Sequence, residues 1–393
     1  MVQPDKPPRP QLSRLESLPV EILQTIFLYS LEINLPRASL NLSRALSNPL
    51  LYTWLTRLAF SSPNQGSRHG FFTPDFLPPP LNFWDLPWGE RQHLQTTLLT
   101  CRWCTLEFMR KCQREYVEHA IKQKCADLVF SPEDKAVLEN LEPQFAKLKY
   151  CDHAEDGRRG KGDLVIPAIR QKAETQDEND KKTQKRSSSS SALTSDKPEH
   201  QNQHQHQHQS RSRSRSSDRK VAIWFHFGAV QIREQNEVYF EKDLFRFPCS
   251  IPVCPGRIPD KLLREPWSES QFEFLDLLSE DFYLDEDDYV AERSDELTSM
   301  LIRTKQYLAF DRLLSMSFRA ANCRIRTLWP LQTDHFKLIT ECTHLYHGRE
   351  PGTGPDPYGI RDPFAEPALQ NKRRRGVTLP WQLERELEEL TLS

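Results

Sequence analysis

Cys101 and Cys104 form the stretch CRWC, whose spacing is that of half a structural zinc site or of a redox pair. His93 and His119 are the nearby side chains that would complete a metal shell. The same cysteines also belong to a longer pattern, since Leu94, Leu98, Cys101, Thr105, Phe108 and Cys112 recur at helical spacing and no second CxxC pair is present. Both thiols are therefore expected to pack in a helix core without zinc. The acidic run Glu280, Asp281, Asp285, Glu286, Asp287 and Asp288 offers carboxylates to a cation, but the glycine and twelfth-position glutamate of a calcium loop are missing, so a solvated loop is expected. His204, His206 and His208 in QHQHQHQHQ can chelate a transition metal, although an unstructured repeat imposes no geometry. Arg211, Arg213 and Arg215 in RSRSRSS, and KRRR at Lys372–Arg375, are basic enough to touch phosphates or to act in nuclear import. Aromatics do not interleave with these arginines, so a sequence-reading nucleic-acid surface is not indicated.

Other chemistry is missing from the sequence. There is no G-x-S-x-G elbow, no Gly-rich phosphate loop and no H-E-x-x-H. No catalytic residue, metal site or cofactor is assigned, and the expected role is not enzymatic. The formal net charge of −2 gives no global pull toward nucleic acid or anionic lipid. No apolar stretch approaches the roughly 20 residues that span a bilayer, and no apolar run follows the N-terminus, so an intracellular chain of the nucleus or cytoplasm, with no membrane contact, is expected. The 9 cysteines at irregular spacing fit reduced thiols.

The elements that would position these residues follow from periodicity and punctuation. A length of 393 residues allows two or three modules, and a hydrophobic fraction of 37% implies that part of the chain does not fold. Ile22, Leu23, Ile26, Phe27 and Leu31 line one face of a helix that Pro19 opens, with Glu21 in its first turn. A second helix is predicted from about 36 to 47, with Leu40, Leu42, Ala45 and Leu46 packing. A third begins near Pro49 and carries Leu50, Leu51, Trp54, Leu55 and Leu58. Three helices this short are not stable alone and must bury their apolar faces against each other or a partner. Residues 61–90, broken by proline yet rich in aromatics, read as an ordered loop laid over the next helices. One long helix over 91–124 and another over 132–150 follow. Residues 153–220 are polar and of low complexity and are predicted disordered. Beyond them VAIWFHFGAVQIR and EVYFEKDLFRF read as the two strands of a hairpin. Five prolines from Pro248 to Pro266 imply a coil that covers the core without building it. Helices are then expected in SESQFEFLDLLSEDFYL, ELTSMLIRTKQYLAFDRLLSMSFRAANCRI and HFKLITECTHLYH, and the tail is loop except for PWQLERELEEL.

The stretch LESLPVEILQTIFLYSLEINLPRASLNLSRALS resembles the F-box domain. The family opens with an apolar residue, proline, any residue and glutamate, then an aliphatic pair and an isoleucine-phenylalanine pair. Leu18, Pro19, Glu21, Ile22, Leu23, Ile26 and Phe27 meet that pattern. The second segment is also similar to that of F-box-like proteins of filamentous fungi with a degenerate F-box and a helical extension. The cysteine-basic-aromatic element of the family's second half is replaced here by SRALSNP, and no leucine-rich, WD40 or kelch repeats follow. The resemblance implies an adaptor-binding face of Leu18, Pro19, Ile22, Leu23 and Ile26, and a structural core of Phe27, Leu40, Leu42, Leu46, Trp54 and Leu55.

The expected fold is mostly α: a three-helix F-box-like module over 12–60 and a helical extension over 61–151, then a disordered linker over 152–220. A small α+β C-terminal region follows over 221–347, with a mostly loop tail and short terminal helix over 348–393. If the two folded regions pack together, the insertion loops out of a single domain. The function implied is that of a substrate-recognition subunit of an SCF-type cullin-RING ubiquitin ligase, whose partners are a Skp-type adaptor, through it a cullin, and a protein substrate. Two alternatives are a non-ligase interaction protein that keeps an F-box-like fold and a nuclear RNA-associated protein that uses the RS-like segment.

Overall fold

The computed structural model describes residues 13–68, 70–141, 143, 164–170, 219–226, 229–234, 244–250, 255–285, 291–319, 326–346 and 362–392. The chain is mostly helical. Helix α1 spans Val20–Ser30, a 3-10 turn covers Leu35–Arg37, and α2 (Leu40–Leu46) and α3 (Pro49–Phe60) follow. Punctuation sets these limits. Pro19 stands just outside α1, one position earlier than a first-turn proline, and its carbonyl accepts the Ile22 and Leu23 N–H groups, both at 3.1 Å. Pro49 does occupy the first turn of α3, after Asn48, whose side chain caps the Leu50 N–H at 3.0 Å. Ser39 caps α2, so the second helix starts four residues later than the periodicity predicts. Leu31 ends α1 in the left-handed region at φ 50°, a conformation that costs a branched residue about 1–2 kcal/mol.

The long helix expected over 91–124 is two helices, α4 (Trp88–Thr100) and α5 (Leu106–Lys124). Cys101–Cys104 lies in the turn between them, not in a helix. Three contacts hold that turn. Trp103 stacks on Tyr52 of α3 with ring centroids 4.3 Å apart, Thr105 caps α5 at the Phe108 N–H, and the Lys261 ammonium donates to the Cys101 and Cys104 carbonyls at 2.6 and 2.8 Å. The loop over 61–90 is ordered, but it builds the core, since Phe71, Phe76 and Phe83 are all buried. Helix α6 covers Pro132–Glu139 and ends at Asn140, so the remainder of the predicted 132–150 helix falls almost wholly outside the described residues.

Most of the 152–220 segment also lies outside the described residues, but Leu164–Arg170 corrects its assignment as a disordered linker. Those residues form β2, the second strand of a five-stranded antiparallel sheet with order β1-β2-β3-β4-β5, where β1 is Leu128–Val129, β3 Arg219–His226, β4 Ala229–Glu234 and β5 Leu244–Arg246. Two strands, β3 and β4, pair antiparallel where VAIWFHFGAVQIR reads as a single strand, and Leu244–Arg246 adds a further strand. Ile166, Ile223 and Ile232 are cross-strand partners in one row, and with Val230 and Phe245 they form the buried face, which packs against α5.

Residues 247–250 and 255–259 of the proline-rich segment after β5 run through the interior, contrary to the expected covering coil. Phe247, Ser250 and Ile258 are buried there, and an ideal Cβ on Gly256 would lie 2.3 Å from Phe282 Cε1, so the Phe282 ring seats on this strap only because residue 256 has no side chain. Phe60 of α3 meets Phe247 and Phe282 at 6.2 and 5.9 Å. The strap backbone is satisfied by groups from the N-terminal helices. The Cys249 N–H donates to the Phe60 carbonyl at 2.8 Å, the Gln95 amide donates to the Ala59 and Cys249 carbonyls at 2.8 and 2.9 Å, and the Gln113 amide donates to the Phe247 carbonyl at 2.7 Å. Helical and mixed regions thus share one core.

The C-terminal helices are α7 (Glu269–Ser279), α8 (Glu292–Arg303), α9 (Tyr307–Leu314) and α10 (Thr333–Tyr346); Ser317–Arg319 (β6), inside a segment expected to be helical, instead pairs with Arg326–Leu328 (β7) in a two-stranded ladder. The tail holds two helices, α11 (Ala365–Arg375) and α12 (Trp381–Leu392), so its assignment as mostly loop is corrected at 365–375.

Two measurements follow from this packing. Gln95→Leu removes the donor from two buried carbonyls, each costing about 1–3 kcal/mol when stranded, so urea unfolding is expected to show a loss of about 2 to 6 kcal/mol. His119 is held by the Phe71 carbonyl at 2.5 Å and stacks on Phe76 at 4.0 Å, and its burial pushes the imidazole below its ordinary value. The unfolded chain takes up this proton near pH of about 6.5 while the folded chain resists it, so stability falls as pH drops from there toward the lowered folded value. The urea midpoint is expected to be lower at pH 5.5 than at 7.5, by a gap that narrows in His119→Gln.

Candidate docking face

The start of α1 is built by a short capped turn. Ser13 N–H donates to Glu16 Oε2 at 2.8 Å while Glu16 N–H donates to Ser13 Oγ at 3.3 Å, a reciprocal cap that sequence reading overlooked although the S-x-x-E pattern signals it. The Ser39 hydroxyl, the Ser13 N–H and the Asn41 amide together hold the Glu16 carboxyl down at about 2. That turn delivers Leu18 and Pro19 to the N-terminal end of α1.

One face of α1 is buried and a second apolar face is left open. Leu23, Phe27 and Leu28 face Leu42, Leu46 and Leu55 in the core, with Trp54 half-buried beside them and the Gln24 amide reaching the Ala45 carbonyl at 3.2 Å. Leu18 remains 37%, Val20 46%, Ile22 47% and Tyr29 74% exposed, with Pro19 also exposed and Ile26 half-buried. Ile22, Ile26 and Tyr29 follow i, i+4, i+7 spacing and make one stripe. Two expected assignments are corrected. Leu23, placed on the adaptor face by the resemblance, is 3% exposed and belongs to the core. Leu40, placed in the core, is 76% exposed because the N-cap at Ser39 turns the first residue of α2 outward, leaving Leu42 and Leu46 as its inward pair. Val20, Tyr29 and Leu50 are exposed apolar residues that the motif did not single out; the spacing of Tyr29 from Ile22 and Ile26 was the available signal.

The other groups with chemical potential are structural. Cys101 and Cys104 are buried, with burial pushing the Cys104 thiol up to about 12. His93 is exposed and His119 is committed to the Phe71 carbonyl. The acidic run does not behave as a solvated loop where it is described. Asp281 is buried between Arg246 at 3.3 Å and Arg319 at 3.8 Å, and burial pushes its carboxyl upward against the pull of Arg246. Asp285 takes the Arg293 and Ser294 N–H groups at 2.8 and 3.3 Å at the start of α8. Glu286, Asp287 and Asp288 lie outside the described residues, as do His204, His206, His208, Arg211, Arg213 and Arg215. The KRRR cluster forms the last turn of α11, where Lys372 pairs with Glu384 of α12, Arg373 lies 3.9 Å from Glu388 and Arg375 donates to the Trp329 carbonyl at 3.1 Å. Among the described residues no cluster of His, Cys, Asp and Glu is arranged to hold a metal, and no helix is long and apolar enough to cross a membrane.

No family model, curated protein or solved structure matches this chain. The reading of the docking face therefore stands on its residues and their geometry.

The burial of the cysteines is open to direct measurement. Cys104 and Cys112, both pushed up to about 12 by burial, are expected to resist maleimide at pH 8 in the native chain and to react at once in urea, with mass spectrometry counting the labels.

Proposed function

We propose that the chain is the substrate-recognition subunit of an SCF-type ubiquitin ligase, docking a Skp-type adaptor, and through it a cullin, by the face of Leu18, Pro19, Ile22 and Ile26. The observation that carries this reading is the open apolar stripe on α1, which persists although the three-helix unit already fills its interior with Leu23, Phe27, Leu42, Leu46 and Leu55. An isolated helix face of this kind is matched by an apolar groove on a partner, with the backbone at Pro19 fixing the direction in which Leu18 projects. Val20 and Tyr29 widen the stripe beyond the motif positions.

Ubiquitin transfer itself would fall to other subunits. This chain would raise the local concentration of a protein substrate near them, which needs two binding surfaces on a firm scaffold but no catalytic group. Firmness is supported by α3, which packs on α1 as well as on α4 and α5, with Leu58, Ala59 and Phe60 buried. An adaptor docked on α1 would hold the sheet and C-terminal helices in a set orientation. The alternative of an interaction protein without a ligase uses the same face with a different partner. Lys372–Arg375 lends little to an RNA-associated reading, because three of its four side chains are engaged within the fold.

Co-precipitation tests the reading. Truncating an aliphatic anchor in an interface costs about 1–3 kcal/mol, or roughly 5 to 150-fold in affinity. The double change Leu18→Ala with Pro19→Ala is expected to reduce adaptor recovery by that order while circular dichroism remains that of the folded chain. Equal recovery by the two folded proteins rejects this face, and no adaptor with the unaltered chain rejects the ligase assignment.

A further inference from the structure

Ser62, Thr73 and Ser131 are each followed by proline, and no other serine or threonine of the chain is. The fold separates the three. Ser62 is buried, with its hydroxyl paired to the Tyr116 hydroxyl at 2.9 Å and the Leu244 carbonyl at 3.3 Å. Thr73 is half-buried, and its carbonyl takes the Phe76 and Leu77 N–H groups at 2.9 and 2.8 Å inside the aromatic loop. Ser131 is exposed, as are Pro132 and Glu133 after it. Its backbone is extended at φ −64° and ψ 157°, the region to which a following proline restricts a residue and the one in which a kinase cleft holds the residue it modifies. Pro132 adds selectivity, because a kinase pocket shaped for the pyrrolidine ring, with no acceptor for a peptide N–H, admits proline there and disfavours other residues.

The Ser131 hydroxyl caps α6 through a single residue. It accepts the Asp134 N–H at 3.1 Å and donates to Asp134 Oδ2 at 2.7 Å. Little else pins this helix, since none of its residues is buried, so opening its first turn uncovers little apolar surface. Leu138 of α6 lines an apolar cleft together with Ile121, Cys125, Leu128 and Phe130, and within it Cys125 is buried.

We propose that Ser131 is a phosphorylation site for a proline-directed serine kinase, and that phosphate there loosens α6 from this cleft. Ser131 Oγ attacks the γ-phosphorus of ATP, the new O–P bond replaces the bond from that phosphorus to the β,γ-bridging oxygen, the hydroxyl proton passes to the kinase's base, and ADP leaves. A phosphate at a helix N-terminus is ordinarily favourable. Here Pro132 has no N–H and the Asp134 N–H already meets the Ser131 oxygen, so the first turn has only the Glu133 N–H left to offer. Against that gain stand the lost O–H bond to Asp134 and a group of about −1.5 to −2 charge beside the carboxylates of Glu133 and Asp134. Repulsion wins, α6 frays, and the cleft around Cys125 opens.

The test uses the full chain with ATP and an active mitogen-activated protein kinase, peptide mapping by mass spectrometry, maleimide labelling of Cys125 and pulsed amide hydrogen exchange. Phosphate is expected on Ser131 far ahead of Ser62 and Thr73. Labelling of Cys125 should then quicken by roughly ten-fold, with faster exchange at Lys135 and Asn140, whose N–H groups bond to the Ser131 and Ala136 carbonyls at 2.9 and 3.2 Å. Ser131→Asn keeps a capping acceptor but takes no phosphate, so the same treatment should leave its Cys125 labelling unchanged. Asp134→Asn should accept phosphate at Ser131 with little acceleration, because the facing carboxylate is gone. A folded chain that leaves Ser131 unmodified overturns the proposal, and so does phosphate reaching Ser62 or Thr73 as fast. Unchanged or slower Cys125 labelling after phosphate on Ser131, or equal acceleration in either variant, overturns it as well. None of these readouts involves the adaptor face on α1, so they stand apart from the ligase reading.

Discussion

The fold depends on the backbone of an irregular strap that crosses its centre. Residues 247–250 follow β5 and run between the end of α3 and the helices α4 and α5, in a place where water cannot satisfy peptide groups. A buried peptide group without a partner costs about as much as a lost hydrogen bond, so such a strap persists only if side chains or neighbouring backbone supply the partners. Gln95 and Gln113, each buried on a different helix, do this, together with the Phe60 carbonyl. Two amides inside helices are therefore what allows a proline-bearing coil to serve as core, and every element packed on Phe247 inherits its position from them.

The same logic explains the charges inside the molecule. Arg246 and Arg319 come from β5 and β6, and they meet at Asp281 just after α7, so one carboxylate joins three elements far apart in sequence. Burial raises the cost of ionising Asp281, while the paired guanidinium groups lower it, and geometry is fixed because breaking any one contact strands a charge. Arg91 is a second case. Its guanidinium lies 3.6 Å over the Phe83 ring and donates to the Phe83 carbonyl, and burial draws its pKa down to about 10. It holds the aromatic loop against α4.

What could be read from the sequence was local. The three N-terminal helices are marked by Pro19, Ser39 and Pro49 and by apolar spacing, and their limits are off by only a few residues. The break at Cys101 was hidden because the apolar period continues through it. What ends α4 is the stacking of Trp103 on Tyr52 and the reach of Lys261, contacts made by residues distant in the chain. The strand at Leu164–Arg170 was hidden by its polar surroundings, although Ile166 and Ala168 alternate inward with Val165, Pro167 and Ile169 outward. KRRR was read as a free basic cluster because its partners, Glu384 and Glu388, sit on another helix. The docking face was legible in its anchors. The inward turn of Leu23 and the outward one of Leu40 were not, because they depend on how α1 and α2 cross.

The strap also has a consequence for how the protein is made. The Ser62 hydroxyl donates to the Leu244 carbonyl across 182 residues of chain, and the Phe60 ring waits equally long for Phe247. At translation speeds of about 5–20 residues per second that interval is roughly 10 to 35 s, during which α3, α4 and α5 can form on the ribosome but have no lid over their shared apolar face. A nascent chain of this protein is thus a client for holding chaperones over a defined window, which closes only when the segment around residue 250 has left the exit tunnel.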